Sequence, residues 1–228
     1  MATVLVAMAG GRRSDRVSAR DVEVLGFISR FGLVPRQAVA TWAGTGRSVT
    51  FARERRLRGA SLIEVGSEFW GAERLMAPTA AGLRLSGYRH LGAARLSGAS
   101  ASHEAAVAGL AARLESAGAH LLSEREILAR EREEGRRLFS LKIDGGRRLH
   151  RCDLIAEAGE GGPPEAIEVE LSLKGADRLD LILRSWRRAV GEGRFSGVVY
   201  CCSPRAFGGV RRAVERTATA GFIQVEEL

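Results

Sequence analysis

The sequence predicts a protein of two domains, the first of the α+β class and the second of the α/β class. The length supports this division, because 228 residues are enough for two cores of ordinary size and 45% of them are apolar. The charge supports it too. Residues 1–100 contain 15 arginines and 7 acidic residues, whereas residues 101–228 contain 20 basic and 20 acidic residues. The whole net charge of +8 therefore lies in the first part.

We expect four segments along the chain. A flexible basic tail over 1–16 precedes a first domain over 17–90, and a Ser/Gly/Ala-rich linker over 91–102 precedes a second domain over 103–228. A concentrated positive field attracts polyanions, and nucleic acid is the commonest polyanion that a cytoplasmic protein meets. A membrane surface is the weaker alternative, because no basic amphipathic helix stands alone.

Several classes of protein are not favoured by the sequence. The apolar run Thr3–Ala9 is too short to span a bilayer and has no basic leader before it, so we expect a cytoplasmic protein without a membrane partner. Cys152, Cys201 and Cys202 form no CxxC pair and the four histidines lie far apart, which predicts neither a zinc ribbon nor a disulfide framework. We expect these cysteines to be buried as small apolar residues.

Three helices are expected in the first domain. They run from near Asp21 to Phe31, from Arg36 to Trp42 and from Arg47 to Arg58. The apolar residues of the first helix recur at helical spacing, and Gly32 ends it. Pro35 stands where the first turn of a helix tolerates proline.

Two short strands and a further helix complete this domain. The strands are Leu62–Val65 and Arg74–Met76, joined by a loop that contains Trp70, and the helix is Pro78–Leu85. Three helices and a β-hairpin make a winged helix-turn-helix. In that fold the third helix enters the major groove of DNA, while the hairpin, called the wing, rests on the sugar-phosphate backbone.

The third helix has a mainly apolar stripe, with Val49, Ala52, Arg56 and Leu57 on or beside it, and its opposite face is strongly basic. Its one acidic residue is Glu54. Residues at the start of such a helix contact base edges and later ones contact phosphates. The candidates are Arg47, Ser48, Thr50 and Arg53 for the groove, and Arg55 and Arg58 for phosphates. Two alternatives stay open, namely a solvated basic face and a protein-interaction module.

The second domain alternates helices and strands. The expected segments are a helix over Glu104–Ala117, strands over His120–Ser123, Leu138–Ile143, Arg151–Ala156 and Ala166–Leu173, a helix over Ala176–Val190, a strand over Ser196–Cys202, a helix over Arg205–Thr217 and a strand over Phe222–Val225. Asp144-Gly145 is a hairpin signal. The uninterrupted apolar run near Cys201 predicts a central strand buried on both faces.

Three carboxylates carry the candidate chemistry of this domain. Asp153 lies in one predicted strand, and Glu168 and Glu170 lie in the next, where residues two apart point to the same side. Carboxylates held there are costly unless a partner compensates them. A divalent cation such as Mg²⁺ or Mn²⁺ can do so and can also hold a water for attack on a phosphodiester. The alternative is a strand with one polar, exposed face.

These segments resemble a known fold. The order α-β-β-β-α-β, with an Asp on one strand and an acidic pair on the next, resembles the PD-(D/E)XK restriction-endonuclease-like core with its mixed sheet. Together with the winged helix, residues 17–228 are similar to the replication-relaxation family, whose members are encoded on bacterial plasmids and mobile elements. The resemblance is carried by His150-Arg151-Cys152-Asp153-Leu154-Ile155 and by Ile167-Glu168-Val169-Glu170-Leu171-Ser172-Leu173-Lys174, followed by a helix with Arg178, Leu179 and Trp186.

The resemblance implies roles for individual residues in a nuclease. Asp153 and Glu168 would be metal ligands, Glu170 a ligand or a base that orients water, and Lys174 a contact to phosphate or water. Glu104 and Glu126 are weaker candidates for an additional carboxylate. The sequence departs from the family at Cys152, which replaces a proline, and at Glu170, which stands where the nuclease motif usually has lysine.

Two functions follow from these expectations. The first is a magnesium-dependent DNA nuclease or nicking enzyme that its winged helix targets. The second is a DNA-binding regulator or replication accessory factor without catalytic activity, whose nuclease-like domain serves dimerisation or partner contact. A small-molecule enzyme lacks support, because no glycine-rich phosphate loop follows a strand. The apolar face of the Arg178–Val190 helix could pack across a two-fold axis of a homodimer, but we expect it in the core.

Overall fold

The computed structural model describes residues 16–66, 74–94 and 98–228. Most of the predicted basic tail and the Trp70 loop lie outside the described residues. The chain divides into two compact units, Met1–Ser116 and Ala117–Leu228, and both contain helices and strands. None of the helices in the described ranges combines the length and the apolar composition that a membrane-spanning segment needs.

The N-terminal unit contains the predicted three helices and hairpin, with a short extra strand. Its elements are α1 (Ala19–Phe31), β1 (Val34–Pro35), α2 (Arg36–Ala43), α3 (Arg47–Gly59), β2 (Ile63–Gly66), β3 (Leu75–Pro78), α4 (Ala80–Leu85) and α5 (Gly98–Ser116). The strand β1 was not predicted, because two residues are too few for a pattern. It pairs antiparallel with β3, which gives a three-stranded sheet of order β1-β3-β2.

Local chemistry accounts for the ends of α1. The Ser18 hydroxyl accepts from the amide of Asp21 at 3.2 Å, and the Asp21 carboxylate accepts from the amide of Ser18 at 2.9 Å. This reciprocal capping box satisfies amides that the first helical turn leaves without partners. Gly32 ends the helix at φ 81°, a conformation that glycine adopts without a Cβ clash.

The helix α5 belongs to the N-terminal unit, although we had expected it to open the second domain. It begins at Gly98, inside the predicted linker. Ala101 shares a small apolar cluster with Leu33 and Leu75. The indole of Trp42 donates to Glu115 at 2.7 Å, so the end of α5 is also tied to α2. An alanine-rich helix carries no sign of which neighbour covers it, which is why the sequence misplaced the boundary.

The C-terminal unit is built around one mixed sheet. Its elements are β4 (Leu121–Ser123), α6 (Glu124–Glu133), β5 (Leu141–Ile143), β6 (Arg148–His150), β7 (Leu154–Ala156), β8 (Glu165–Glu170), α7 (Ala176–Gly191), β9 (Gly197–Cys202), α8 (Pro204–Arg216) and β10 (Ile223–Glu227). The five strands of the sheet have the order β10-β9-β8-β7-β4. The three strands β8, β9 and β10 are parallel, whereas β4 and β7 run antiparallel to their neighbours.

The turn at Asp144-Gly145 forms a hairpin, as predicted, but with a different partner. It joins β5 to β6, and these two strands form a small sheet of their own. The predicted partner, Arg151–Ala156, contributes β7 to the main sheet instead. Asp153 therefore stands immediately before β7 rather than inside a strand.

The apolar face of α7 is buried inside the C-terminal unit, as we expected. Leu179, Ile182 and Trp186 pack in one cluster with Tyr200 of β9 and Val210 of α8. The three cysteines are free thiols and are buried, which confirms their interpretation as core residues. The same cluster includes Ala166, so one face of β8 is covered by α7.

Candidate functional site

The acidic pair lies on the central strand of the sheet and is buried. β8 is flanked by β7 and β9, and its register places Glu168 beside Tyr200 and Glu170 beside Cys202. Glu168 is 2% exposed and Glu170 is 5% exposed. The two side chains share a face with Ala166, because residues two apart in a strand point the same way. An exposed polar face, the alternative that the sequence left open, is therefore wrong.

Glu168 is held by two side chains from other elements. One of its oxygens, Oε1, lies 2.5 Å from Nε2 of His150 and accepts from the indole nitrogen of Trp186 at 3.1 Å. Burial alone would lower the pKa of His150, but the adjacent Glu168 carboxylate outweighs it and raises that pKa above its usual 6.5. When it is protonated, the imidazole is a counterion for the buried glutamate.

Glu170 has a cation of its own. Its Oε2 contacts the ammonium of Lys174, which lies in the loop between β8 and α7. Burial raises the pKa of Glu170 above its usual 4.5, although Lys174 acts in the opposite direction. The lysine that the resemblance assigned to this site does lie beside the acidic pair.

Asp153 ties β7 to β8 next to the two glutamates. Its amide donates to the carbonyl of Ile167 at 3.1 Å, and its carboxylate accepts from the amide of Val169 at 2.7 Å. Its charge contributes to the raised pKa values of both His150 and Glu170. The four residues that the sequence grouped, Asp153, Glu168, Glu170 and Lys174, are therefore neighbours.

These carboxylates do not form a ready metal site. Hard oxygen donors suit Mg²⁺, but Glu168 is already bonded to His150 and Trp186, and Glu170 to Lys174. Among the described residues, no group of three or more His, Cys, Asp or Glu side chains is arranged to hold a metal ion. As arranged, these residues do not fit a resident Mg²⁺ or Mn²⁺ ion.

The additional carboxylates that the sequence proposed have other positions. Glu126 accepts from the amide of Ser123 at 2.9 Å and so caps α6. Glu104 lies on α5, in the N-terminal unit. His150 and Trp186, by contrast, were not predicted to contact the acidic pair, and Trp186 was expected only on the apolar side of its helix. A histidine just before the Asp153 segment was the available signal for the first of them.

The basic helix α3 divides its polar residues between two faces. Arg47, Ser48, Arg55 and Arg58 are exposed, as a DNA-contacting surface requires. Thr50 and Arg53 are buried, and this corrects their assignment to the groove. The Thr50 hydroxyl donates to the carbonyl of Gly46 at 3.1 Å within its own helix.

Arg53 and its neighbour Arg56 neutralise a buried carboxylate. Arg53 Nε donates to Asp21 Oδ1 at 2.9 Å, and Arg56 Nη2 donates to the same oxygen at 2.9 Å. Burial alone would raise the pKa of Asp21, but the hydrogen bonds from Arg56, Ser18 and Arg53 hold it below its usual 3.8. Arginine, which stays charged at every accessible pH, is suited to such a buried pair.

The outward face of α3 is cationic and partly aromatic. Arg47, Phe51, Arg55 and Arg58 follow one another at helical spacing, and Phe51 is 48% exposed. The three arginines form no ion pair with any residue in the described ranges. The guanidinium of Arg36 lies 5.1 Å from the centre of the Phe51 ring and also pairs with Glu54 at 2.6 Å. Val49, which we had placed on the apolar stripe, is 47% exposed.

Comparison with known protein families, with curated protein sequences and with solved structures found no match to this chain. The assignment of function therefore rests on the two sets of side chains described above, the outward face of α3 and the acidic cluster at β8.

Proposed function

We propose that this protein binds DNA through its N-terminal unit, in which α1, α2, α3 and the β2–β3 hairpin act as a winged helix-turn-helix. One observation carries the proposal. The inward cations of α3 are neutralised by Asp21, whereas the outward cations Arg47, Arg55 and Arg58 have no acidic partner in the described ranges. A face built in this way attracts a polyanion.

The outward residues suit the two kinds of contact that DNA offers. Arg47 and Ser48, at the start of α3, have the chemistry for base edges in the major groove, where arginine bonds guanine in a bidentate manner. Arg55 and Arg58 suit phosphates, which fix the register of the protein on the duplex. The exposed ring of Phe51 can make an apolar contact with a thymine methyl group.

The test removes the outward charge without touching the interior. We would compare Arg47→Gln/Arg55→Gln/Arg58→Gln with the charge-matched control Arg84→Gln/Arg89→Gln/Arg113→Gln, three exposed arginines of the same unit that lie outside α3. Fluorescence anisotropy with a labelled duplex across a salt series gives the affinity and its salt slope. We expect the α3 variant to lose at least about tenfold in affinity and about two to three in slope, since each phosphate contact contributes about 0.9. Equal losses in both variants would remove the support for α3 as the DNA-contacting helix.

We propose further that the C-terminal unit has the restriction-endonuclease-like core of the replication-relaxation proteins of plasmids and mobile elements. The mixed sheet and the position of Asp153 before β7, next to Glu168 on β8, support this. Because His150, Trp186 and Lys174 already compensate the two glutamates, we propose that the protein is a DNA-binding regulator or replication accessory factor. The acidic cluster then stabilises the unit.

A nuclease is the second candidate function, and one observation favours it. The Lys174 ammonium lies beside Glu170, the residue that stands where the motif usually has lysine, and in a nuclease it would have to release Glu170 before a metal ion could bind there. The test is cleavage of supercoiled, linear and single-stranded DNA with Mg²⁺ or Mn²⁺. Cleavage that is lost in both Asp153→Ala and Glu168→Ala, at equal folded concentration, would make the nuclease the function. No cleavage with DNA binding intact would support the non-enzymatic role.

A further inference from the structure

The C-terminal unit contains a cavity whose walls do not include Asp153, Glu168 or Glu170. It has a volume of about 240 Å³ and lies between β5, the segment before it, α7 and the segment after α7. Its walls carry four cations, one acid and two serines. The charged members are Arg137, Lys142, Arg188, Arg194 and Glu192.

This concentration of cations stands out from its surroundings. Residues 117–228 contain 19 basic and 18 acidic residues, so a random patch of this unit would be close to neutral. One cation is partly compensated, because Arg137 lies 3.5 Å from the buried carboxylate of Glu131. The cavity still keeps an excess of positive charge.

Lys142 and Arg188 supply most of that excess. Both are exposed, and neither forms an ion pair with any residue that the structure describes. Arg188 has no such pair even with Glu192, which lies one helical turn further along the chain. Two cations that face one cavity without counterions repel each other, and an anion between them would relieve that repulsion.

Hydrogen bonds hold the Arg194 side chain in place at the wall of the cavity. Its Nη2 donates to the carbonyls of Leu138 and Ser140, each at 3.1 Å. The amide and hydroxyl of Ser140 are in turn bonded to Glu131, at 2.8 and 2.7 Å. A guanidinium anchored through one nitrogen still presents N–H groups on the other two. A side chain held in this way loses little rotamer freedom when it binds an anion.

We propose that this cavity binds a backbone phosphate of nucleic acid. Its volume of about 240 Å³ is below the range of about 300–1,000 Å³ that is usual for whole small-molecule ligands, so it suits one group of a larger polymer. Arginine, lysine and serine are among the side chains that contact nucleic-acid phosphates. This inference rests on the proposed DNA-binding function, and it gives the C-terminal unit a nucleic-acid contact of its own that does not depend on α3.

The experiment uses the full chain with two pairs of substitutions on exposed cations. Lys142→Gln/Arg188→Gln removes the unpaired cations of the cavity. Arg184→Gln/Arg187→Gln is the matched control, since both arginines are exposed on α7 and neither lines the cavity. Each pair is made in the wild type and in the Arg47→Gln/Arg55→Gln/Arg58→Gln background. Duplex affinity is measured by anisotropy over a salt series, and inorganic pyrophosphate is the small-anion probe in thermal-shift measurements.

We expect Lys142→Gln/Arg188→Gln to weaken duplex binding by about tenfold and to lower the salt slope by about one, the value for one phosphate contact. The same change in the α3-substituted background would show that the contact does not depend on α3. A loss no larger than that of the Arg184→Gln/Arg187→Gln control would overturn the proposal. Loss of the pyrophosphate effect with unchanged duplex binding would overturn it too, because the cavity would then serve a free phosphate ligand.

Discussion

One buried carboxylate in the N-terminal unit and one in the C-terminal unit are compensated by different kinds of cation. In the N-terminal unit Asp21 accepts from Arg53 and Arg56. In the C-terminal unit Glu168 is paired with His150. A guanidinium stays charged at every accessible pH, whereas an imidazole changes charge near neutrality. The first pair is therefore permanent near neutral pH, and the second is a pair that a rise in pH can switch off.

Charged residues that are paired within the fold differ in role from charged residues that have no partner there. Arg53 was a reasonable candidate for DNA by composition, yet it stabilises the interior. Glu168 and Glu170 were reasonable metal ligands by pattern, yet the protein supplies their counterions. In both units, the charges that have partners in the fold support the fold. The charges without partners, on α3 and around the cavity at α7, are the ones that can serve an external ligand.

The largest effect is expected from Asp21→Asn. It keeps the shape of the side chain but leaves Arg53 and Arg56 without a counterion in the interior. We expect the free energy of unfolding to fall by about 3–5 kcal/mol, as for other broken buried pairs. Urea denaturation at neutral pH measures it.

Its control is Glu23→Gln, on the same helix, where an exposed acid pairs with an exposed arginine. The Glu23→Gln substitution should lower the free energy of unfolding by at most about 1 kcal/mol. The pKa of Asp21 is lowered in the fold, so its contribution is present above its unfolded pKa and is lost as the pH falls through the folded pKa. The difference in the free energy of unfolding between wild type and Asp21→Asn should therefore disappear at acidic pH. A small difference in the free energy of unfolding at neutral pH would show that the ion pairs of Asp21 with Arg53 and Arg56 do not contribute much to stability.

A smaller and pH-dependent effect is expected from Glu168→Gln. The pKa of His150 is raised in the fold, so its contribution to stability is fully present below the unfolded pKa, near 6.5. It is lost as the pH rises through the folded pKa. We expect the variant to be less stable than wild type by about 1.5–3 kcal/mol at acidic pH, the usual value of a hydrogen bond to a charged group, and by less at alkaline pH.

Two measurements check this expectation. Urea denaturation gives the difference in the free energy of unfolding at each pH, and an NMR titration gives the pKa of His150, which should fall in the variant. Glu165→Gln, at the other end of β8, is the control and should leave that pKa unchanged. A stability difference that does not vary with pH would contradict the His150–Glu168 ion pair.

The smallest effects on stability and DNA affinity are expected from substitutions of two nearby arginines of α3. Arg53→Gln removes one of the two cations on Asp21 and should cost about 1–3 kcal/mol of stability, with wild-type DNA affinity once the protein is folded. Arg55→Gln should leave stability within about 0.5 kcal/mol of wild type and weaken DNA binding. Thermal denaturation and anisotropy on the same preparations separate the two. If only Arg53→Gln lost affinity for DNA, this would show that Arg53 contacts the DNA after all.

The elements whose patterns are local were predicted well. Helix α7 was predicted from Ala176 and begins there, because an apolar face at helical spacing is complete within the helix itself. The grouping of Glu168 and Glu170 followed from strand alternation in the same way. The prediction of Arg53 as a surface residue was wrong because its partner, Asp21, lies on another helix. His150 and Trp186 were missed for the same reason, since they reach Glu168 from β6 and α7.

The pairing of Arg53 and Arg56 with Asp21 would also affect the entropy of the proposed DNA binding. It holds α3 against α1 in the free protein, so in the proposed complex the helix would not have to fold or reorient on the duplex. A ligand surface ordered in advance loses little conformational freedom on association. The heat capacity change of DNA binding should then reflect the surface that the contact buries, and not the coupled folding of a helix.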